Sequence, residues 1–144
     1  MGKIIAVCKS ENKGERKVNV SSARLVENFG VEGDAHGGSW HRQVSLLAAE
    51  SIAKMIDKGL KVGPGDFAEN LTTEGIDLTA LPVGAKLRAG DALLEVTQIG
   101  KKCHARCAIY EQAGDCIMPR EGIFAKVLRG GVVSAGDSID VVTE

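Results

Sequence analysis

The segment Gly100-Lys101-Lys102-Cys103-His104-Ala105-Arg106-Cys107 sets a thiol among two lysines, a histidine and an arginine. Positive charge favours the thiolate and draws a cysteine pKa below its free value of about 8.5. The thiolate is the form that attacks electrophiles and binds soft metals. Of the four cysteines, Cys8, Cys103, Cys107 and Cys116, the last three fall within fourteen residues of one another. Cys103 is therefore expected to carry the chemistry, as nucleophile or as metal ligand. Other readings of the cluster stay open. Cys103, His104, Cys107 and Cys116 could make a Cys₃His zinc set, although the chain has no second close cysteine pair. Cys103 and Cys107 could form a redox couple, though without Cys-x-x-Cys spacing. They could also be small buried thiols, but Lys-Lys-Cys-His-Ala-Arg is polar for a core segment.

A second group is Gly33-Asp34-Ala35-His36-Gly37-Gly38, followed by His41-Arg42-Gln43. Glycines let the backbone approach a ligand and turn amides toward an anion. His36, His41 and Arg42 add titratable or cationic side chains. The same residues read equally well as a polar turn between strands. In a third group, Phe67-Ala68-Glu69-Asn70-Leu71, the Glu and Asn precede a strand. On those residues alone the segment is structural, bonding a turn.

Short elements must position these groups. Lys3–Val7 reads as a strand, Lys9–Arg16 as a polar loop, and Lys17–Val20 and Ala23–Val26 as short strands. Gln43–Leu47 is a buried strand running into a helix. Ala48, Ile52, Met55 and Ile56 have helical spacing, and Gly59 fits a C′ stop. Gly63-Pro64-Gly65-Asp66 is a turn. Further strands are expected at Asn70–Thr73, Lys86–Arg88, Leu93–Ile99 and Ser138–Val142, with a short helix over Gly122–Gly130. Ala89-Gly90-Asp91 and Ala135-Gly136-Asp137 repeat a turn signal ahead of a strand. Glycine is frequent, 18 residues against 3 prolines, as many tight turns require. These signals predict a mainly β, compact, β-barrel-like domain with one or two short helices, a single domain over residues 1–144.

Composition narrows the function. With 44% hydrophobic and 26% charged residues, the chain is not a disordered one. A net charge of −1 and 3% aromatics argue against a nucleic-acid partner. No apolar run approaches the roughly 20 residues of a membrane helix. The N-terminus does not read as a signal peptide. The expectation is a cytoplasmic protein with no membrane partner and with reduced thiols. No Gly-x-Gly-x-x-Gly or Walker-type loop is present.

Taken in order, Gly33-Asp34-x-His36-Gly37, Arg42-Gln43-Val44-Ser45-Leu46-Leu47, Phe67-Ala68-Glu69-Asn70-Leu71-Thr72, Leu81-Pro82-Val83-Gly84-x-x-Leu87-Arg88-x-Gly90, Leu94–Ile99 and Lys102-Cys103 resemble a MOSC domain. That is the domain at the C-terminus of molybdenum cofactor sulfurases. The resemblance covers nearly the whole chain. It implies a β-barrel-like fold and handling of the molybdenum cofactor (molybdopterin) or of sulfur destined for it. It implies that Cys103 is the key residue, a molybdenum ligand in amidoxime-reducing members and a proposed sulfur carrier in sulfurase-type members. It makes Asp34, His36, Arg42, Glu69 and Asn70 candidate pocket residues, with Lys101, Lys102 and Arg42 suited to the cofactor phosphate. The chain is expected to hold this domain alone. A cysteine desulfurase, a cofactor-synthesis protein or a molybdoenzyme is therefore the expected partner, beside the cofactor or a small-molecule substrate. Pyridoxal phosphate, mentioned for the family, would belong to such a partner, because no lysine here has a Schiff-base setting. A minimal molybdoenzyme reducing N-hydroxylated compounds and a zinc-stabilised interaction domain are the alternative expectations.

Overall fold

The computed structural model describes residues 2–11, 17–35, 37–40, 42–59, 61–67, 69–99 and 121–142. Its strands are β1 (Gly2–Lys9), β2 (Val18–Asn19), β3 (Ser22–Val26), β4 (Gly30–Val31), β5 (Val44–Ala48), β6 (Leu71–Glu74), β7 (Lys86–Ala89), β8 (Ala92–Ile99), β9 (Ile123–Arg129), β10 (Gly131–Ser134) and β11 (Ser138–Val142). Helix α1 (Ala49–Asp57) follows β5, and a 3₁₀ turn covers Leu78–Ala80.

Seven strands close into a barrel in the order β1-β6-β5-β9-β8-β7-β11. The seam is the β1–β11 pair, with Gly2 opposite Ile139 and Lys3 opposite Ser138. Closure leaves the sheet no open edge within the ring. Every barrel pair is antiparallel except β5–β6, which is parallel with Leu46 opposite Leu71. A parallel pair cannot be joined by a tight hairpin, and α1 lies in the crossover that joins this one. Outside the ring, β2 pairs with β1, and β10, β3 and β4 form a small second sheet.

Period-two patterning accounts for the strands. Along β7, Leu87 and Ala89 are buried while Lys86 and Arg88 are exposed. Along β8, Ala92, Leu94 and Val96 point to the core. β5 is buried throughout, and α1 packs over it with Ser51, Ile52 and Met55. The barrel interior gathers Ile4, Leu46, Leu71, Leu87, Leu94, Val96, Ile123, Val127 and Ile139. Full burial of each such aliphatic side chain contributes about 1.5–3 kcal/mol.

Two expectations change. The helix starts at Ala49 rather than Ala48, which ends β5, and Ile56 is half exposed in spite of its spacing. The stop is as expected: Gly59 adopts φ +93° and donates to the Ile56 carbonyl at 2.9 Å. The second change is larger. Gly122–Gly130 is not a helix, because Ile123–Arg129 forms the barrel strand β9 between β5 and β8. Ile123, Ala125 and Val127 face the core at period two, and Lys126 meets Glu95 across the pair at 3.2 Å. Gly130 stops no helix. It lets the chain pass the Leu25 carbonyl, which a Cβ would approach to 2.6 Å. Among the described residues no helix is long and apolar enough to cross a membrane.

Candidate functional site

A buried polar cluster forms where the end of β1, the residue ahead of β2, the turn after β4 and the approach to β6 meet. Lys17 donates from Nζ to Asp34 Oδ1 at 2.7 Å and to Ser10 Oγ at 3.2 Å. The Ser10 N–H reaches the same Asp34 oxygen at 3.0 Å. Both charged side chains are fully buried. Burial pushes the Asp34 carboxyl up, but Lys17, Ser10 and Asn70 together outweigh it and hold it below the usual value. Burial also draws the Lys17 ammonium below its usual value, against the pull of Asp34. The donor geometry is that of an ion pair. It pins the turn after β4 to the end of β1, where Ala35 N–H also bonds the Ser10 carbonyl at 2.8 Å.

Asn70, fully buried, joins three strands. Its Oδ1 accepts from the Ser45 N–H at 2.9 Å and the Ser45 hydroxyl at 3.1 Å, while its Nδ2 donates to the Cys8 carbonyl at 3.1 Å. Glu69 Oε2 accepts from Gly65 N–H at 3.0 Å and from the Thr72 hydroxyl at 2.8 Å. Burial raises the Glu69 pKa against those bonds. Gly65 must be glycine: its φ is +88°, and a Cβ would collide with the Lys17 carbonyl and come within 3.2 Å of Cys8 Sγ. The Cys8 thiol is pushed up to about 12, by burial first and by the Glu69 charge second. It is a packed thiol, not a reactive one.

Arg42 belongs to a different group. Half buried just ahead of β5, it donates from Nε to Gln98 Oε1 at 3.1 Å. Its guanidinium carbon lies 5.8 Å from the Trp40 ring centroid and 5.4 Å from that of Phe124. Both distances suit cation–π contact. The neighbouring Gln43 is anchored, accepting from Val127 N–H at 2.9 Å and donating to Asn28 Oδ1 at 3.1 Å. Among the described residues the Arg42 terminal nitrogens have no hydrogen-bond partner. Gln98 lies next to the last residue of β8, the strand that leads in sequence to Gly100 and Cys103.

The structure thus brings Asp34, Glu69 and Asn70 together and places Arg42 with Trp40, Gln98 and Phe124. Asp34 is 6% exposed and Glu69 and Asn70 are 0%. Their hydrogen bonds serve the backbone beneath the surface. His36, His41, Lys101, Lys102, Cys103, His104, Cys107 and Cys116 lie outside the described residues. Among the described residues no group of three or more His, Cys, Asp or Glu could hold a metal ion. Sequence reasoning missed Lys17, Ser45 and Gln98. Lys17 sits beside a run of polar residues, and its alternation with Val18 points the valine inward, whereas the structure buries Lys17 and leaves Val18 exposed.

A family model of the MOSC domain matches residues 32–140. The chain belongs to the MOSC domain family. The match begins after β1, yet β1 is the strand that closes this MOSC barrel against β11. Protein YiiM of Escherichia coli (strain K12) is 29% identical over 115 residues, 72% of this chain and 50% of that protein. The chain therefore spans about half the length of the curated relative it matches. The YuaD protein from Bacillus subtilis superposes with a TM-score of 0.80 at 20% identity, over 98% of this chain and 96% of its own. YiiM from Geobacillus stearothermophilus gives 0.75 at 21%, over 99% and 76%. At these identities the likeness is one of fold. MOSC domains are associated with the molybdenum cofactor, and membership is consistent with a function related to it. The Arg42 guanidinium is a planar fork with paired donors, carried on a side chain braced by Gln98 and two rings.

Proposed function

We propose that this MOSC domain binds the molybdenum cofactor, or a sulfurated form of it, and passes on the cofactor or its sulfur through Cys103. The supporting observation is Arg42. It is held by Gln98 and two aromatic rings at the end of the strand that leads to Cys103, with its terminal nitrogens turned to no partner among the described residues. In this reading Arg42 takes the cofactor phosphate together with Lys101 and Lys102, and His36 is a further candidate for contact with the cofactor. Asp34, Glu69 and Asn70 keep the cleft backbone in place from below. When bound, the cofactor supplies the molybdenum centre and its sulfur or oxygen chemistry. The chain's own residues bind and orient it, and the Cys103 thiolate, favoured by its basic neighbours, provides the soft ligand. The protein acts in the cytoplasm with a cysteine desulfurase, a cofactor-synthesis protein or a molybdoenzyme as partner.

Metal and pterin analysis of protein purified from a cofactor-producing host tests this reading. Stoichiometric molybdenum and pterin are expected in the wild type and in Cys8→Ser, and are lost in Cys103→Ser. Equal loading of Cys103→Ser removes Cys103 from the site. Zinc without pterin replaces the reading with a zinc-stabilised domain, and turnover with an electron donor turns the carrier into a reductase. Titration with a phosphorylated pterin tests the anion contact. A charge-assisted hydrogen bond is worth about 1.5–3 kcal/mol. Arg42→Lys should therefore weaken binding roughly ten- to a hundredfold, and equal binding at low and high salt removes Arg42 from the pocket.

A further inference from the structure

Simple alternation along β8 sends Gln98 into the barrel. Ala92, Leu94 and Val96 are buried at period two, and Gln98 is the next position in that series. Pairing with β9 breaks the series. Val96 lies opposite Ala125 and Gln98 opposite Phe124, so β8 takes two steps there where β9 takes one. Directly opposed residues of an antiparallel pair point to the same face. Ala125 belongs to the core. Its neighbour Phe124 therefore faces outward, and the bulge turns Gln98 outward with it. Re-aiming a side chain is a common use of a bulge beside a site. On that outer face Gln98 Oε1 accepts from Arg42 Nε at 3.1 Å. The guanidinium carbon lies 5.4 Å from the Phe124 ring centroid and 5.8 Å from that of Trp40.

We propose that Gln98, aimed by the β8 bulge, is the positioning residue of the Arg42 anion site, and that it makes the site selective for a phosphate by fixing which edge of the guanidinium faces the ligand. This rests on the reading of Arg42 as the phosphate contact and is independent of what Cys103 does. A guanidinium carries an inner donor at Nε and an outer pair at its two terminal nitrogens. Gln98 engages the inner donor. The outer pair is left as the binding edge, two parallel donors that match two oxygens of a phosphate. An arginine free to turn attracts an anion by charge alone, as a lysine does. One held at Nε adds a fixed direction, so its preference for a phosphate comes from geometry as well as charge. The signal was absent from the sequence because Gln98 continues the inward series of β8, and only the register against β9 reverses it.

Gln98→Met keeps the length of the side chain and removes the acceptor. Calorimetric titration with a phosphorylated pterin, and with the same pterin lacking its phosphate, compares wild type, Gln98→Met and Arg42→Lys. Gln98→Met should bind the phosphorylated pterin roughly two- to tenfold more weakly, the worth of one hydrogen bond. Its affinity for the unphosphorylated pterin should be unchanged, which a general loss of structure would not allow. Equal loss of both affinities, or loss of neither, while Arg42→Lys weakens the phosphorylated pterin alone, overturns the role of Gln98 and leaves the phosphate reading standing. If Arg42→Lys binds both pterins as the wild type does, the phosphate reading fails and this proposal fails with it. Nitrogen-15 NMR of the arginine side chains reads the brace without ligand. The Arg42 Nε–H should exchange with water more slowly than that of Arg88, which is exposed on β7, and should lose that protection in Gln98→Met. A wild-type Arg42 Nε–H that exchanges as fast as that of Arg88 overturns the proposal, even if Gln98→Met fails to fold or no pterin binds.

Discussion

Replacing Asp34 by Asn tests whether the Lys17–Asp34 pair holds the cleft together. The side chains are fully buried and 2.7 Å apart. Removing one charge strands the other where water does not reach it. Breaking such a pair costs about 3–5 kcal/mol, against the roughly zero to 1 kcal/mol of an exposed pair. Asn can still accept from the Ser10 N–H, which places Asp34→Asn at the lower end, about 3 kcal/mol. That is a large part of a domain stability of about 5–15 kcal/mol. Lys17→Met should cost a similar amount, since it takes the ammonium away from the buried Asp34 carboxylate. The double variant carries no stranded charge and should cost clearly less than the sum of the single changes. Urea unfolding of the four proteins at neutral pH measures this. The coupling should survive high salt, because a buried pair is little screened. The pH dependence follows from the lowered Asp34 pKa. Its contribution is present above the ordinary aspartate range and is lost as pH falls through the lower folded value. A single-variant cost below about 1 kcal/mol, or strictly additive changes, would show that the pair does not hold the two segments together.

Gly65→Ala should destabilise by more than about 1 kcal/mol, because alanine resists a positive φ and its Cβ meets the Lys17 carbonyl; thermal unfolding reads the loss. Cys8, fully buried and with its pKa pushed up to about 12, should resist alkylation in the native protein at pH 8 and react once the chain is unfolded in urea. Rapid native labelling at Cys8, located by peptide mapping, would contradict the packing of this cluster.

The barrel was legible where the signal is local. Alternation in Lys86–Arg88 and Leu93–Ile99, the Gly-Asp turns, and the helix closed by Gly59 all follow from side-chain period and backbone freedom within a few residues. The MOSC motifs were likewise legible in order along the chain, and the family match agrees with them. What tertiary structure decided is non-local. Ile123–Arg129 carries a run of apolar residues that suits a helix or a strand, and pairing on both sides with β5 and β8 chose the strand. Asp34 read as a pocket residue or a turn residue with equal reason, and Asn70 as a turn residue that only the family resemblance made a pocket candidate; their partners are Lys17, Ser10, Ser45 and Cys8, brought from other segments by closure of the barrel. Lys17 drew no notice in the sequence because a lysine beside a polar run is ordinarily solvated. Only burial against Asp34 makes its charge structural, since a low-dielectric interior leaves neither ion of the pair tolerable without the other.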